Sequence, residues 1–335
     1  MDENDETASL THGQIWNLRG CPNLETSVGR AGRPSYLPGG EGEKDYHHLS
    51  TGATTSHPRI SGTLRQFSIK KMQIPLFHVD AFTGKSFSGN PAAVCILNAW
   101  LDDETLRKVA AENNLSATAF LVRKDTDYEL RWFTPRCEVR LCGHATLASA
   151  HVLFSVLQPG LETVRFLLRF AGDVTVKKDG EFLSVDFPSL YPKPCAKVPP
   201  GLNLALGLRT PPLEVMEVND ILIGVFDSAD EIRNIAPDFA LLEQLHPYAV
   251  AVTSPGEDVD FVSRYFAPSY GVPEDHVTGS AHCALTPYWA KRLKKSLLHA
   301  RQLSERGGEL LCETVGERVV LKGKAVLTLT GTLTI

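Results

Sequence analysis

The chain has 335 residues, 43% of them hydrophobic, enough to bury one large core or two medium ones. A net charge of -5 shows no basic excess and argues against a nucleic-acid partner. No apolar run approaches the ~20 residues of a membrane helix. Seven scattered cysteines with no CxxC pair argue against a disulfide framework or a zinc ribbon and fit a reducing, cytoplasmic setting.

Residues 1–71 read as a disordered tail or an extension foreign to the fold. They open acidic and run on through Gly, Ser, Thr and Pro without apolar periodicity, so they cannot bury enough surface to offset their ordering entropy. The paired His47 and His48 read as solvated tail residues, and Met72 reads as an alternative start. Patterning begins at Ile74. "IPLFHVDAF" and "PAAVCIL" read as strands, joined by the loop "TGKSFSGNP" with a tight turn at Gly89-Asn90-Pro91. Asp102 is the expected N-cap of a helix with Leu106, Val109 and Ala110 on its apolar face, ending near Asn113 and Asn114. "ATAFLVR" and "YELRWFT" return to strand. A small-residue helix from "CGHATLASA" is expected to run to Pro159-Gly160. "TVRFLLRF", "DVTVKKDG" and "FLSVDFP" suggest a meander with a hairpin turn at Asp179-Gly180. The Pro-rich stretch after Pro188 marks an internal boundary. Beyond it, "DILIGVF", "YAVAVT" and "DFVSRYFAP" read as strands, "DFALLEQL" as a helix, and "RVVLKGKAVLTLTGTLTI" as strand.

An internal repeat organises this pattern. "RWFTP" (131–135) matches "RYFAP" (264–268), and each is followed by a Gly-centred helix start, "CGHATLASA" at 142 and "TGSAHCALT" at 278. Arg131 pairs with Arg264, Pro135 with Pro268, Gly143 with Gly279, and His144 with Ser280. Two matches in the same order point to duplication of one domain. A helix start carries unpaired N–H groups and about half a positive charge, and a glycine there lets a ligand approach the backbone. Two such starts converging on one cleft suit a small carboxylate. His144 and Ser280 are then the side chains at the anion-facing ends. Asp275, just before the second start, is expected to cap the helix or to accept a proton. His276 and His282 are weak metal candidates, and Pro287, inside the second helix, has no account from the sequence.

"DAFTGKSFSGNPAAV", "LRWFTP", "LCGHATLASA", "SRYFAP", "EDHVTGSA" and "RGGEL", in this order over residues 72–335, resemble the PhzF family of phenazine-biosynthesis-like proteins. The resemblance implies an α+β, diaminopimelate epimerase-like fold of two similar domains, each a sheet wrapped around a central helix, with the active cleft between them. The domains are expected at 72–188 and 189–324, with 325–335 returning to the first. The resemblance further implies a cofactor-independent isomerase, without a metal, that moves a proton on a small carboxylic acid. Gly143, His144, Gly279 and Ser280 would bind substrate, Asp275 and His144 would handle the proton, and a homodimer is favoured. One departure stands out: family members usually read N-L-S-E-T, with the glutamate as principal acid–base group, and "NLSATAF" puts Ala117 there. Losing such a group typically costs ~10²–10⁴ in rate. Three readings stay open: an isomerase working through Asp275 and His144; a pseudoenzyme that binds a small acid without turnover; and a two-thiol racemase using Cys142 and Cys283.

Overall fold

The computed structural model describes residues 71–335 apart from Ala171. The expectations for the tail, including His47 and His48, lie outside the described residues. The first half contains β1 (Gln73–Ala81), β2 (Asn90–Leu97), β3 (Ala117–Lys124), β4 (Asp127–Phe133), β5 (Glu138–Val139), β6 (Thr163–Leu168), β7 (Gly172–Asp179) and β8 (Phe182–Pro188). The second contains β9 (Lys193–Pro194), β10 (Glu214–Val218), β11 (Ile221–Val225), β12 (Ala249–Pro255), β13 (Phe261–Ala267), β14 (Val272–Asp275), β15 (Leu297–Gln302), β16 (Gly308–Val315), β17 (Arg318–Gly323) and β18 (Ala325–Thr334).

The pairing repeats strand for strand. In the first half β2 and β3 run parallel, β3 and β4 antiparallel, β4 and β6 parallel, and β6, β7 and β8 antiparallel. In the second, β11 and β12 run parallel, β12 and β13 antiparallel, β13 and β15 parallel, and β15, β16 and β17 antiparallel. The halves are stitched where like meets like, β8 against β17. They also exchange strands. β9, which follows β8, pairs with β10, and β18, which follows β17, returns to pair with β1. The duplicated arginines play one role twice. Arg131 forks onto Glu138 at 2.6 and 2.7 Å and lies over the Phe133 ring; Arg264 forks onto Glu274 at 2.7 and 2.9 Å and lies over Phe266.

Each half wraps its sheet around one helix, Gly143–Val152 in the first and Gly279–Leu293 in the second. The first has no polar face: His144 through Ala150 and Val152 are all buried, as expected of a helix surrounded by sheet. Its hydroxyls satisfy themselves locally, Thr146 donating to the Cys142 carbonyl at 2.6 Å and Ser149 to Ala145 at 2.7 Å. Truncating a core side chain such as the fully buried Leu147 to alanine would cost about 2–5 kcal/mol. The helix does not run on regularly to Pro159. Residues Leu153–Leu157 widen into a π turn, closed by Gln158 N–H donating to the Leu153 carbonyl at 2.7 Å.

The structure also accounts for Pro287. Proline cannot donate to the carbonyl four residues earlier, here Cys283, and that carbonyl instead accepts the backbone N–H of Leu190 at 3.0 Å. The vacant acceptor thereby ties the linker after β8 to the second central helix. On the outer face of the first sheet lies the helix Asp103–Asn113, capped as expected by Asp102 onto Thr105 N–H at 2.9 Å. Leu106, Val109 and Ala110 face inward, and Asn114 ends the helix in the left-handed region at φ 48°.

Candidate functional site

The two central helices meet at their starts. A Cβ added to Gly143 would sit 3.5 Å from the Gly279 Cα, and one added to Gly279 would sit 3.5 Å from the Gly143 Cα. No side chain caps either helix: the N-cap residues Cys142 and Thr278 are extended and make no side-chain cap hydrogen bond. Two first-turn sets of N–H groups thus converge beside one cavity of about 100 Å³, whose lining includes Ser116, Ala117, Gly143, His144, Asp275, Gly279 and Ser280. Every substrate-binding and proton-handling residue expected from the sequence is gathered here.

A hydrogen-bonded bridge runs from one half to the other along the cavity. The Asn90 amide Nδ2 donates to Asp275 Oδ1 at 2.7 Å and to the Val277 carbonyl at 2.9 Å. Two acceptor-only partners on that side fix the amide's orientation, leaving Oδ1 to accept from Ser116 Oγ at 2.5 Å. Ser116 Oγ also lies 3.3 Å from His144 Nε2. Its single proton is spent on Asn90, so Ser116 accepts from the imidazole, and His144 carries its hydrogen on Nε2. His144 Nδ1, the bare nitrogen, faces Cys142 Sγ at 3.4 Å. The other oxygen of Asp275, Oδ2, accepts from Thr278 Oγ1 at 2.6 Å, while Gln302 Nε2 donates to the Asp275 backbone carbonyl at 2.6 Å. Gly89 sets this up. It holds φ at +68° with Ala81 O so close that a Cβ would fall 2.3 Å away, and this turn delivers the fully buried Asn90 to its place between Asp275 and Ser116.

The site's electrostatics follow from its burial. Burial, with the nearby His276 adding to it, pushes the His144 imidazole down to about 3, so it is neutral at physiological pH. Asp275 moves the other way. Burial raises its carboxyl above the usual range, against hydrogen bonds from Thr278 and Asn90 that favour the anion. The Cys142 thiol is pushed up to about 12 by burial, and Cys283 well above its ordinary value. Cys283 is fully buried and not part of the cavity wall, so the two-thiol arrangement is not assembled. Ala117 opens β3 beside the cavity with its methyl buried. His282 turns inward, its Nδ1 2.8 Å from the Thr278 carbonyl. Among the described residues, no three His, Cys, Asp or Glu side chains gather as metal ligands, and no helix is long and apolar enough to cross a membrane.

Arg306 ties the halves together. It pairs with the buried Asp80 at 2.7 Å and donates to Gly89 O at 2.9 Å and Ser88 O at 3.2 Å, bracing the loop that carries Asn90. Sequence reasoning missed Asn90, Ser116 and Gln302. Asn90 stands in a turn signature and Ser116 beside Ala117, but only the fold brings them to Asp275 and His144.

Two similar α+β halves, with facing helix starts in the cleft between them, define an epimerase-like fold. A hydroxyproline epimerase from Agrobacterium vitis shares that fold, with a TM-score of 0.53 at 10% identity, covering 78% of this chain and 93% of its own. The chain belongs to the PhzC-PhzF family: the model described as "Phenazine biosynthesis-like protein" matches residues 79–331. An "uncharacterized isomerase" of Pseudomonas aeruginosa is 52% identical over 262 residues, which is 78% of this chain and 99% of the relative. The crystal structure of a PhzF-family protein from Enterococcus faecalis has a TM-score of 0.74 at 43% identity, covering 79% of this chain and all of its own.

Proposed function

We propose that the protein is a cofactor-independent isomerase that shifts a proton on a small carboxylic acid, with Asp275 as the proton-carrying group. The observation that carries this reading is the pair of uncapped helix starts joined at Gly143 and Gly279. Buried first-turn N–H groups need acceptors, and a carboxylate supplies them. Gly143, His144, Gly279 and Ser280 grip the substrate carboxylate. Asp275 takes a proton from one carbon and returns it to another. Each of its oxygens keeps a lone pair beyond the bonds from Asn90 and Thr278, and its raised pKa makes the anion a stronger base than an exposed aspartate. His144, neutral and held with Nε2–H toward Ser116, orients the site instead of carrying charge.

Ala117 favours a second reading, a chain that binds a small acid without turning it over. Its methyl stands where the family's acid–base glutamate is expected and cannot carry a proton. Proton exchange separates the two. The full chain is incubated in deuterium oxide with small carboxylic acids, as wild type, Asp275→Asn and Ala117→Glu. Deuterium entering carbon with wild type, and lost in Asp275→Asn, supports the isomerase. Silence in wild type with exchange gained by Ala117→Glu supports the binding protein.

A further inference from the structure

The two halves differ at three matched positions around Asp275. Strand register aligns them residue for residue. Trp132 faces Val139 and Phe133 faces Glu138 across β4 and β5; Tyr265 faces Asp275 and Phe266 faces Glu274 across β13 and β14. Asp275 therefore stands where the first half has Val139. On the next ladder, Leu130 faces Leu168 across β4 and β6, and Ser263 faces Gln302 across β13 and β15. Gln302 therefore stands where the first half has Leu168. Thr278 precedes Gly279 as Cys142 precedes Gly143. Val139, Cys142 and Leu168 of one half are thus Asp275, Thr278 and Gln302 of the other.

In the second half these three side chains form one connected set of bonds. Gln302 is fully buried, and its Oε1 accepts the Thr278 backbone N–H at 2.9 Å. That acceptor role fixes the orientation of the amide. Its Nε2 donates to the Asp275 backbone carbonyl at 2.6 Å and to Thr278 Oγ1 at 3.2 Å. Thr278 Oγ1 receives that bond and spends its only proton on Asp275 Oδ2 at 2.6 Å. Gln302 is not part of the cavity wall, so it does not meet a ligand there. Filling space alone would not require an amide, since leucine serves at the matched position 168.

Resting on the reading of Asp275 as proton carrier, we propose that Gln302 is a positioning residue for it. Gln302 pins both ends of the turn from Asp275 to Thr278 and directs the Thr278 hydroxyl onto the carboxylate, which keeps one orientation beside the cavity. A bond donated to a carboxylate favours its anion. Burial raises the Asp275 carboxyl, and the Thr278 bond opposes that rise. Gln302 thus acts on the proton carrier through Thr278. The other titratable groups facing Asp275 are His276 beside it, Tyr265 across β13 and Cys142 at the first helix start, with His144 at the far end of the Asn90 bridge.

Carbon-detected NMR titration of the Asp275 carboxyl in the full chain tests this. The variants are Gln302→Met, which keeps the length and removes every bond, Thr278→Val, which removes the hydroxyl, and the two combined. Each single change should move the midpoint up by about one pH unit, and the double should move it no further than Thr278→Val alone. Thr278→Ser, which keeps the hydroxyl, should titrate as wild type does. An unmoved midpoint in Gln302→Met, or shifts that add in the double, overturns the proposal; a glutamine that only supports the fold would lower stability and leave the midpoint alone. Should Gln302→Met not fold, the wild type decides. Its Gln302 side-chain amide protons should shift with the Asp275 midpoint, and amide signals indifferent to that titration overturn the proposal. Deuterium exchange into small acids is read separately. Its absence in wild type removes the isomerase reading, while the titrations still decide whether Gln302 governs Asp275.

Discussion

Replacing Asn90 by alanine removes the one side chain that bonds at once to Asp275 of the second half and to Ser116 of the first. The lost bonds are Nδ2 to Asp275 Oδ1 at 2.7 Å, Nδ2 to the Val277 carbonyl at 2.9 Å, and Ser116 Oγ to Oδ1 at 2.5 Å. A bond to a charged group contributes about 1.5–3 kcal/mol and a neutral one about 1 kcal/mol. Asn90 is fully buried, so water cannot easily replace it, and the variant should lose about 3–5 kcal/mol of stability. The Asn90 bond favours the Asp275 anion, so removing it should raise that carboxyl further and move any pH dependence of proton exchange upward. Guanidinium unfolding, followed through the buried Trp132 and Trp289, reads the stability. Repeating the substitution in Asp275→Asn isolates the pair, and the two losses should fall short of additivity by about 1 kcal/mol or more. A loss below about 1 kcal/mol, or strict additivity, would refute the bridge as described.

The facing glycines predict a coupling of opposite sign. Gly143→Ala or Gly279→Ala alone places a methyl at an ordinary 3.5 Å from the opposite Cα, but the two together set methyl against methyl. Their combined cost should exceed the sum by about 1–3 kcal/mol in a double-mutant cycle, and additivity within about 0.5 kcal/mol would mean the helix starts are not pressed together. Stability should also fall in mild acid. His144 and His282 are held down to about 3 and about 4 by burial, so the fold keeps them neutral while the unfolded chain protonates near pH 6.5. Their contribution is complete above about pH 6.5 and is lost as pH falls toward the folded values, by roughly 2 kcal/mol each at pH 5. Asp275, raised by burial, acts in the reverse sense, its contribution declining as pH rises through the interval above its ordinary value. Guanidinium midpoints at pH 7.5 and 5.0 that differ by less than about 1 kcal/mol in stability would contradict the neutral, buried histidines.

The sequence revealed its own duplication because the repeated residues serve local chemistry twice. Arg131 and Arg264 each grip a glutamate on the next short strand, and Gly143 and Gly279 each open a helix. Strands with near-continuous apolar runs, such as Ala117–Lys124 and Ala249–Pro255, were also legible, because both of their faces are buried. The strands Glu214–Val218, Leu297–Gln302 and Gly308–Val315 were not read, because half-buried strands with charged outer faces lack a strong apolar signal. The helix read across "DFALLEQL" shrinks to Phe239–Glu243, a stretch in which only Leu242 is buried, so little packing supports a longer helix. The pairing of β9 with β10 was invisible to local pattern, being a property of which sheet edge is free.

The candidate site divides along the same line. Residues that act through the backbone, Gly143 and Gly279, announce themselves by type and position. Residues that act through partners far away in the chain do not: Asn90 lies 185 positions from Asp275, and its meaning exists only once β1, β2 and the second helix start are in place. That dependence bears on Ala117. The bridge from Asp275 through Asn90 and Ser116 to His144 is complete without a carboxylate at 117. Alanine at 117 therefore leaves intact the bridge that positions Asp275 and His144. Because that bridge needs no carboxylate at 117, Ala117→Glu can place one in an otherwise built site. Recovery of exchange by that one change would separate loss of chemistry from loss of architecture.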